Sequence, residues 1–225
     1  SETPINPSES ATTMSQHVSA SIMLACVLLG ATLGVATPRG AGTPQLAQVI
    51  SGATVETAPV PHTGDAADDP AIWVHPSDPS QSTILGTDKL GGIGVYSLAG
   101  EQIQFRADGE LNNVDLRYNF PFGSQAAALV AAGNHTTNSI ALYTIEPATR
   151  LLAPVAARTI VPGLSIYGSC MYHSPVSGKY YVFLDAKSGA VEQWELFATA
   201  DARVDARRVR SFAVGSQVEG CVADD

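Results

Sequence analysis

Basic residues are scarce in this chain of 225 residues. There are 12 Lys and Arg against 21 Asp and Glu, which gives a net charge of −9 at pH 7. The densest basic stretch, residues 203–210, is interrupted by Val204, Asp205, Ala206 and Val209. A nucleic-acid-binding surface needs clustered Lys and Arg. We therefore expect no nucleic-acid partner.

Long hydrophobic runs are also rare. The run at residues 18–36 has about nineteen apolar and small residues and follows Met14, which is typical of a signal peptide. It could instead be a retained membrane anchor, because no Lys or Arg precedes it. We expect residues 1–36 to be an upstream segment and a signal peptide. The mature protein is then secreted or periplasmic, with no stable membrane association.

Cysteines are few, and two of the three follow that run. Cys170 and Cys221 could pair in an exported protein, but their pairing does not follow from the sequence. We expect two buried free thiols. Residues 37–61 are rich in Gly, Ala, Thr and Pro, which predicts a flexible N-terminal segment before a folded domain at 62–225.

The composition of the whole chain favours strands. Apolar residues make up 45% and charged residues 15%, so the chain can bury a core. Twenty Gly and fourteen Pro, with few Lys or Glu, are typical of many short strands joined by turns. The sequence therefore predicts an all-β fold.

A repeat of four short apolar segments begins after Asp65 and occurs three times. The third segment of each unit carries an aromatic residue, at Tyr96, Tyr143 and Trp194, about fifty residues apart. Four strands with this period are typical of a β-propeller blade, although a solenoid or a sandwich remains an alternative. The sequence holds roughly three such blades and the start of a fourth.

The loops that lead into the first strand of each blade are rich in oxygen-bearing side chains. In a propeller these loops meet at one end of the central channel. Converging carboxylates repel one another unless a hard cation binds them, and oxygen-only ligands favour Ca²⁺ or Mg²⁺ over Zn²⁺. The residues in question are Asp65, Asp68, Asp69, Asn112, Asn113, Asp115, Tyr167 and Glu219.

The chain resembles the β-propeller phytases in five segments that occur in the family's order. They are DAADDPAIWVHP, TDKLGGIGVYSLAG, LNNVDLRYNFP, YGSCMYHSPVSGKYYVFL and SQVEGCVADD. The resemblance implies a six-bladed propeller, of which this sequence is the N-terminal portion, and several bound Ca²⁺ ions. It also implies a secreted, monomeric phosphoric monoester hydrolase that acts on phytate, myo-inositol hexakisphosphate, as its calcium complex.

The resemblance assigns roles to individual residues. It implies that Glu56, Asp68 and Glu219 bind catalytic calcium. A structural calcium would be held by Asp69 and by the backbone carbonyls of Pro70 and Val114. Substrate phosphate would be bound by Lys89, Tyr167 and Lys187. Two positions differ from the family pattern: His135 stands in the substrate site where Arg is usual, and Leu164 where His is common.

Each assignment has a plainer alternative. Lys89 and Lys187 could be solvated turn lysines, Tyr167 could belong to the core, and Asp68 and Asp69 could be turn formers. The chain lacks the Arg-His-Gly-x-Arg motif of phosphohistidine enzymes, and Cys170 has no Arg six residues later. The resemblance implies attack by a water that calcium activates. The alternative function is a non-catalytic calcium-binding propeller that binds a phosphorylated or sugar ligand.

Overall fold

The computed structural model describes residues 52–223. The predicted signal peptide and the first part of the predicted flexible segment lie outside these residues. Within them, no helix is both long enough and apolar enough to span a membrane. The described chain consists of strands, the turns and loops that join them, and one short 3-10 helix, as an all-β prediction requires.

Blade 1 is an antiparallel sheet of four strands in sequential order. A short 3-10 helix, Pro79–Gln81, lies between its first two strands, with the Asp78 side chain capping it. Turn residues separate the apolar segments, so each segment pairs with the next along the chain. The strands are β1 (Ala67–Trp73), β2 (Thr83–Asp88), β3 (Gly92–Ser97) and β4 (Gln102–Arg106).

Blades 2 and 3 repeat this arrangement. Blade 2 consists of β5 (Leu111–Phe122), β6 (Gln125–Asn134), β7 (Ser139–Glu146) and β8 (Leu151–Pro154). Blade 3 consists of β9 (Gly168–His173), β10 (Tyr180–Asp185), β11 (Ala190–Ala198) and β12 (Val204–Ala213). The all-β fold and the four-stranded blades predicted from the repeat are confirmed.

The aromatic residue of each third strand occupies the same place in its blade. Tyr96 lies opposite Ile84 of β2, and Tyr143 lies opposite Val130 of β6. Trp194 has the equivalent partner in β10, and all three aromatic side chains are buried. The repeat in the sequence therefore corresponds to a repeat in packing.

Two hydrophobic clusters hold neighbouring blades face to face. One packs blade 1 against blade 2 and includes Trp73, Leu85 and Tyr143. The other packs blade 2 against blade 3 and includes Phe120 and Met171. Burial of each large apolar side chain contributes about 1.5–3 kcal/mol. This packing sets the first strands β1, β5 and β9 side by side.

The strand register places the start of every first strand at one end of the blades, termed the upper end. Ala67 lies opposite Asp88, and Gly168 lies opposite Asp185. Because Asp88 and Asp185 are the last residues of second strands, the turns that follow them are at the upper end too. The turn between β3 and β4 lies at the opposite end of blade 1.

Cys170 and Cys221 form a disulfide. The expectation of two free thiols is therefore wrong. After β12 the chain turns back, and the Val214 N–H donates to the carbonyl of Gly189. The following segment runs beside β9 and brings Cys221 to Cys170, with 5.6 Å between their Cα atoms. Two cysteines 51 residues apart give no local signal of this contact.

Candidate functional site: a cleft at the upper end of the blades

A cleft of about 1030 Å³ opens at the upper end. Blades 1, 2 and 3 all contribute to it, as does the segment after β12. The sequence-predicted residues that line it are Asp65, Lys89, Asn112, His135, Leu164, Tyr167, Lys187 and Glu219. The predicted convergence of the loops at one end is thus present in the structure.

Lys89 lies in the turn between β2 and β3. Its backbone N–H donates to the carbonyl of Ala66, which joins the turn to the loop before β1. Its Nζ lies 2.8 Å from Asp65 Oδ1 and 3.7 Å from Asp68 Oδ1. The hydrogen bond to Asp65 raises the pKa of Lys89, so the ammonium remains charged at neutral pH. Lys89 therefore brings a positive charge to two of the predicted acidic residues.

Asp68 and Asp69 join blade 1 to blade 2 through backbone hydrogen bonds. Asp68 Oδ2 accepts from the N–H of Asn113 at 3.2 Å, and Asp69 Oδ2 accepts from the N–H of Val114 at 3.1 Å. Burial raises the pKa of Asp69, and the negative charges of Asp68 and Asp115 raise it further. This edge of the site therefore concentrates negative charge that a cation would stabilise.

Tyr167, Lys187 and Glu219 form a second group on the blade 3 side. The Tyr167 hydroxyl donates a hydrogen bond to the Glu219 carboxylate, which raises the pKa of Tyr167. Lys187 Nζ lies 4.3 Å from the centroid of the Tyr167 ring. A lysine at this distance from an aromatic face makes a cation–π contact. The structure thus brings together three of the predicted residues that come from separate loops.

Two asparagines hold the loop that carries Tyr167. Asn138 donates from Nδ2 to the Leu164 carbonyl and accepts at Oδ1 from the Ile166 N–H, both at 2.9 Å. Its φ of +46° lies in the left-handed region, which Asn tolerates better than most residues. Asn112 Nδ2 donates to the Tyr167 carbonyl at 2.7 Å. Neither role was predicted, since each bond joins blade 2 to the loop that leads into blade 3.

The two positions that differ from the family pattern both lie on the cleft wall. The His135 N–H donates to the Glu110 carbonyl at 2.8 Å. Its Nε2 is buried without a hydrogen-bond partner among residues 52–223. Leu164 is buried in the core between blades 2 and 3. His135 lines the cleft, and its role as a substrate contact stays a prediction.

Glu56 lies apart from this group, whereas Pro70 directly follows Asp69 in β1. The backbone carbonyl of Glu56 packs against Gly100, in the turn between β3 and β4. That turn is at the end of blade 1 opposite Asp68, so the structure does not bring Glu56 to the other predicted calcium ligands. Pro70 lies within β1, opposite Gly86.

Two buried acids of the upper end were missed in the sequence. Asp88 and Asp185 each end the second strand of a blade, and both are at most 1% exposed. Asp185 Oδ1 accepts from the Gly168 N–H at 3.0 Å, whereas its Oδ2 has no partner in the described chain. Burial and, to a smaller extent, the charge of Glu219 raise the pKa of Asp185 to about 6. Asp88 and Asp185 occupy equivalent positions in the repeat, and this equivalence could have identified them from the sequence.

The donor set has the chemistry of a hard-cation site. Asp68, Asp69 and Glu219 offer only oxygen, and the buried Oδ1 of Asn112, another cleft residue, has no partner in residues 52–223. Such ligands suit Ca²⁺. No three His, Cys, Asp or Glu residues of this described portion group closely enough to hold a metal ion. The oxygen donors therefore fit a hard cation such as Ca²⁺ in chemistry, but in the described chain they do not form a complete site.

The sequence as a whole is similar to known proteins. A family model described as phytase matches residues 16–225. The chain is also 40% identical over 178 residues to a 3-phytase of Bacillus subtilis (strain 168). That alignment covers 77% of this chain and 47% of the relative, so the chain spans about half the relative's length. With a family match over nearly its whole length, the chain belongs to the phytase family.

Proposed function

We propose that this chain is part of a secreted, calcium-dependent 3-phytase that hydrolyses phosphate from phytate. The observation that carries the proposal is the meeting of Lys89, Tyr167 and Lys187 with carboxylates in one cleft. Two ammonium groups and a hydroxyl offer hydrogen-bond donors to phosphate oxygens. The family match and the 3-phytase relative support the same reaction.

The chain's own residues would bind and orient the phosphate. Lys89 pairs with Asp65, whose side chain is 90% exposed, so a phosphate can replace that carboxylate at little cost. Lys187 is held over the Tyr167 ring from the other side of the cleft. A phosphate between the two lysines would be fixed by opposed positive charges, which also stabilise the charge that develops in the transition state.

The acidic residues would bind the metal. Asp68, Asp69 and Glu219 are the proposed calcium ligands in the described chain. Bound calcium would offset the negative charge of phytate and activate a water for attack. Such an offset is needed because a protein with a net charge of −9 repels a polyanion. The Tyr167 hydroxyl has one hydrogen, which Glu219 accepts in this structure. With Glu219 bound to calcium, that hydrogen would be free for a phosphate oxygen.

The test is phosphate release from phytate by the full-length protein, in calcium and in chelator. Asp68→Asn keeps the side-chain shape and an oxygen that can accept from Asn113, but removes a charge from the proposed calcium site. We expect it to lower release at limiting calcium at least tenfold. Asp78→Asn is the control, because Asp78 caps the short helix at the opposite end of blade 1. Chelator-insensitive release, or wild-type calcium dependence in Asp68→Asn, would reject the proposal.

A further inference from the structure

His62, which precedes β1, is bound to the end of β2. Its Nδ1 lies 2.8 Å from Asp88 Oδ2, and its backbone N–H donates to the same oxygen at 3.2 Å. A carboxylate can only accept hydrogen bonds, so Nδ1 carries the hydrogen in this arrangement. One residue of the N-terminal segment thus provides two donors to one oxygen.

Asp88 depends on these donors because its carboxylate is fully buried. Its other oxygen, Oδ1, accepts from the Leu90 N–H at 3.0 Å. A buried carboxylate without hydrogen bonds is strongly unfavourable, so loss of one donor shifts the surrounding backbone or admits water. Removal of the His62 side chain would therefore disturb the segment that Asp88 organises.

That segment is the turn that carries Lys89. Asp88 binds it twice: its side chain accepts from the Leu90 N–H, and its carbonyl accepts from the Gly91 N–H at 2.9 Å. Lys89 lies between these bonds and extends to Asp65 and Asp68. The conformation of the turn therefore decides where the Lys89 ammonium lies.

Gly91 provides a second, independent contact in the same arrangement. The His62 ring packs against its Cα so closely that a methyl group there would overlap the ring. The ring would have to rotate away from Asp88 to accommodate a side chain at position 91. The His62 ring can therefore reach Asp88 in this orientation only because residue 91 is glycine.

We propose that His62 is a positioning residue for Lys89. Through Asp88 it holds the turn between β2 and β3 in the conformation that directs Lys89 into the cleft. As far as Lys89 binds phosphate, this inference rests on the proposed function. It adds that the segment before β1 takes part in forming the substrate site.

The experiment compares four variants of the full-length protein with the wild type. His62→Ala removes the ring, His62→Asn restores a donor near the position of Nδ1, and Gly91→Ala displaces the ring without changing a polar group. The control is His75→Ala. His75 also binds backbone groups of blade 1, accepting from the Asp78 N–H at 3.0 Å, but it lies beyond the far end of β1.

Two readouts separate positioning from general stability. Amide hydrogen exchange at Leu90 reports the turn directly and requires no activity. We expect the protection factor of the Leu90 amide to fall at least tenfold in His62→Ala and in Gly91→Ala. We expect their KM for phytate to rise about five- to tenfold and their kcat to fall as well, because Lys89 also acts on the transition state. His62→Asn should recover most of these losses. His75→Ala should leave Leu90 protection and KM unchanged.

Each outcome decides one claim. Unchanged Leu90 protection in both His62→Ala and Gly91→Ala would overturn the inference, as would an equal rise in KM for His75→Ala. If His62→Ala does not fold, Leu90 exchange and KM in Gly91→Ala and His62→Asn test the inference instead. If the wild type releases no phosphate, the proposed function fails. Leu90 exchange and binding of myo-inositol hexasulfate, a non-hydrolysable probe, then test the positioning alone.

Discussion

The backbone carbonyl of Glu219 packs directly against Gly168, so that a methyl group on Gly168 would overlap its oxygen. We therefore expect Gly168→Ala to displace Glu219 and break its hydrogen bond to Tyr167. Overpacking of this kind lowers the free energy of unfolding by about 1–3 kcal/mol. Urea unfolding of the full-length protein measures that loss. Gly220→Ala is the control, since no atom lies within 4 Å of a methyl group there. Equal stabilities of the two variants would contradict the account.

Asp185 should make stability depend on pH. Burial raises its pKa in the fold to about 6, above the ordinary value of 3.8. The folded state thus retains a proton that the unfolded chain has lost, so stability falls as the pH rises from about 4 to 6. The full loss, about 3 kcal/mol at 1.36 kcal/mol per pKa unit, persists above pH 6.

Asp185→Asn should abolish this fall, because an amide can accept from the Gly168 N–H without ionising. We expect the variant to be more stable than the wild type at pH 7 and equal to it near pH 4. Urea unfolding across this range, in chelator, provides the comparison. A variant that is less stable at pH 7 would show that the Asp185 charge has a partner in the intact protein.

The disulfide should stabilise the segment that carries Glu219. It closes a loop of about 51 residues, for which the chain-entropy model gives roughly 4 kcal/mol. We expect the double variant Cys170→Ser, Cys221→Ser to have a lower Tm and faster amide exchange between Val214 and Val222. A Tm within one degree of the wild type would contradict this role.

His135 offers a gain-of-function test. It lines the cleft where the family usually has Arg, and its Nε2 has no partner in the described chain. Arg provides a planar, permanently charged donor pair for phosphate. We expect His135→Arg to lower the KM for phytate about tenfold. An unchanged or higher KM between pH 6 and 8 would show that this position does not contact the substrate.

The strands and the cleft were predictable because their signals are local. Each apolar segment is bounded by turn residues, and Tyr96, Tyr143 and Trp194 mark the repeat. Once the blades are placed, the loops with Asp68 and Tyr167 must meet at one end. The register in the structure agrees with that reasoning.

The contacts between distant segments could not be predicted. The His62–Asp88 contact, the disulfide and the Asn138 bonds each join residues at least 26 positions apart. No periodicity encodes them, because they depend on how the blades pack. Asp185 ends the second strand of its blade, and the sequence does not reveal that its carboxyl group is buried. Glu56 was assigned by resemblance, and its place beside Gly100 depends on the path of the segment before β1.

The most direct test of the central claim is a crystal structure of the full-length protein with calcium and myo-inositol hexasulfate. We expect one sulfate within hydrogen-bond distance of Lys89 Nζ, Lys187 Nζ and the Tyr167 hydroxyl. We also expect calcium bound to Asp68 and Glu219. A hexasulfate bound elsewhere, with Lys89 still paired to Asp65 and no calcium at these carboxylates, would contradict the central claim.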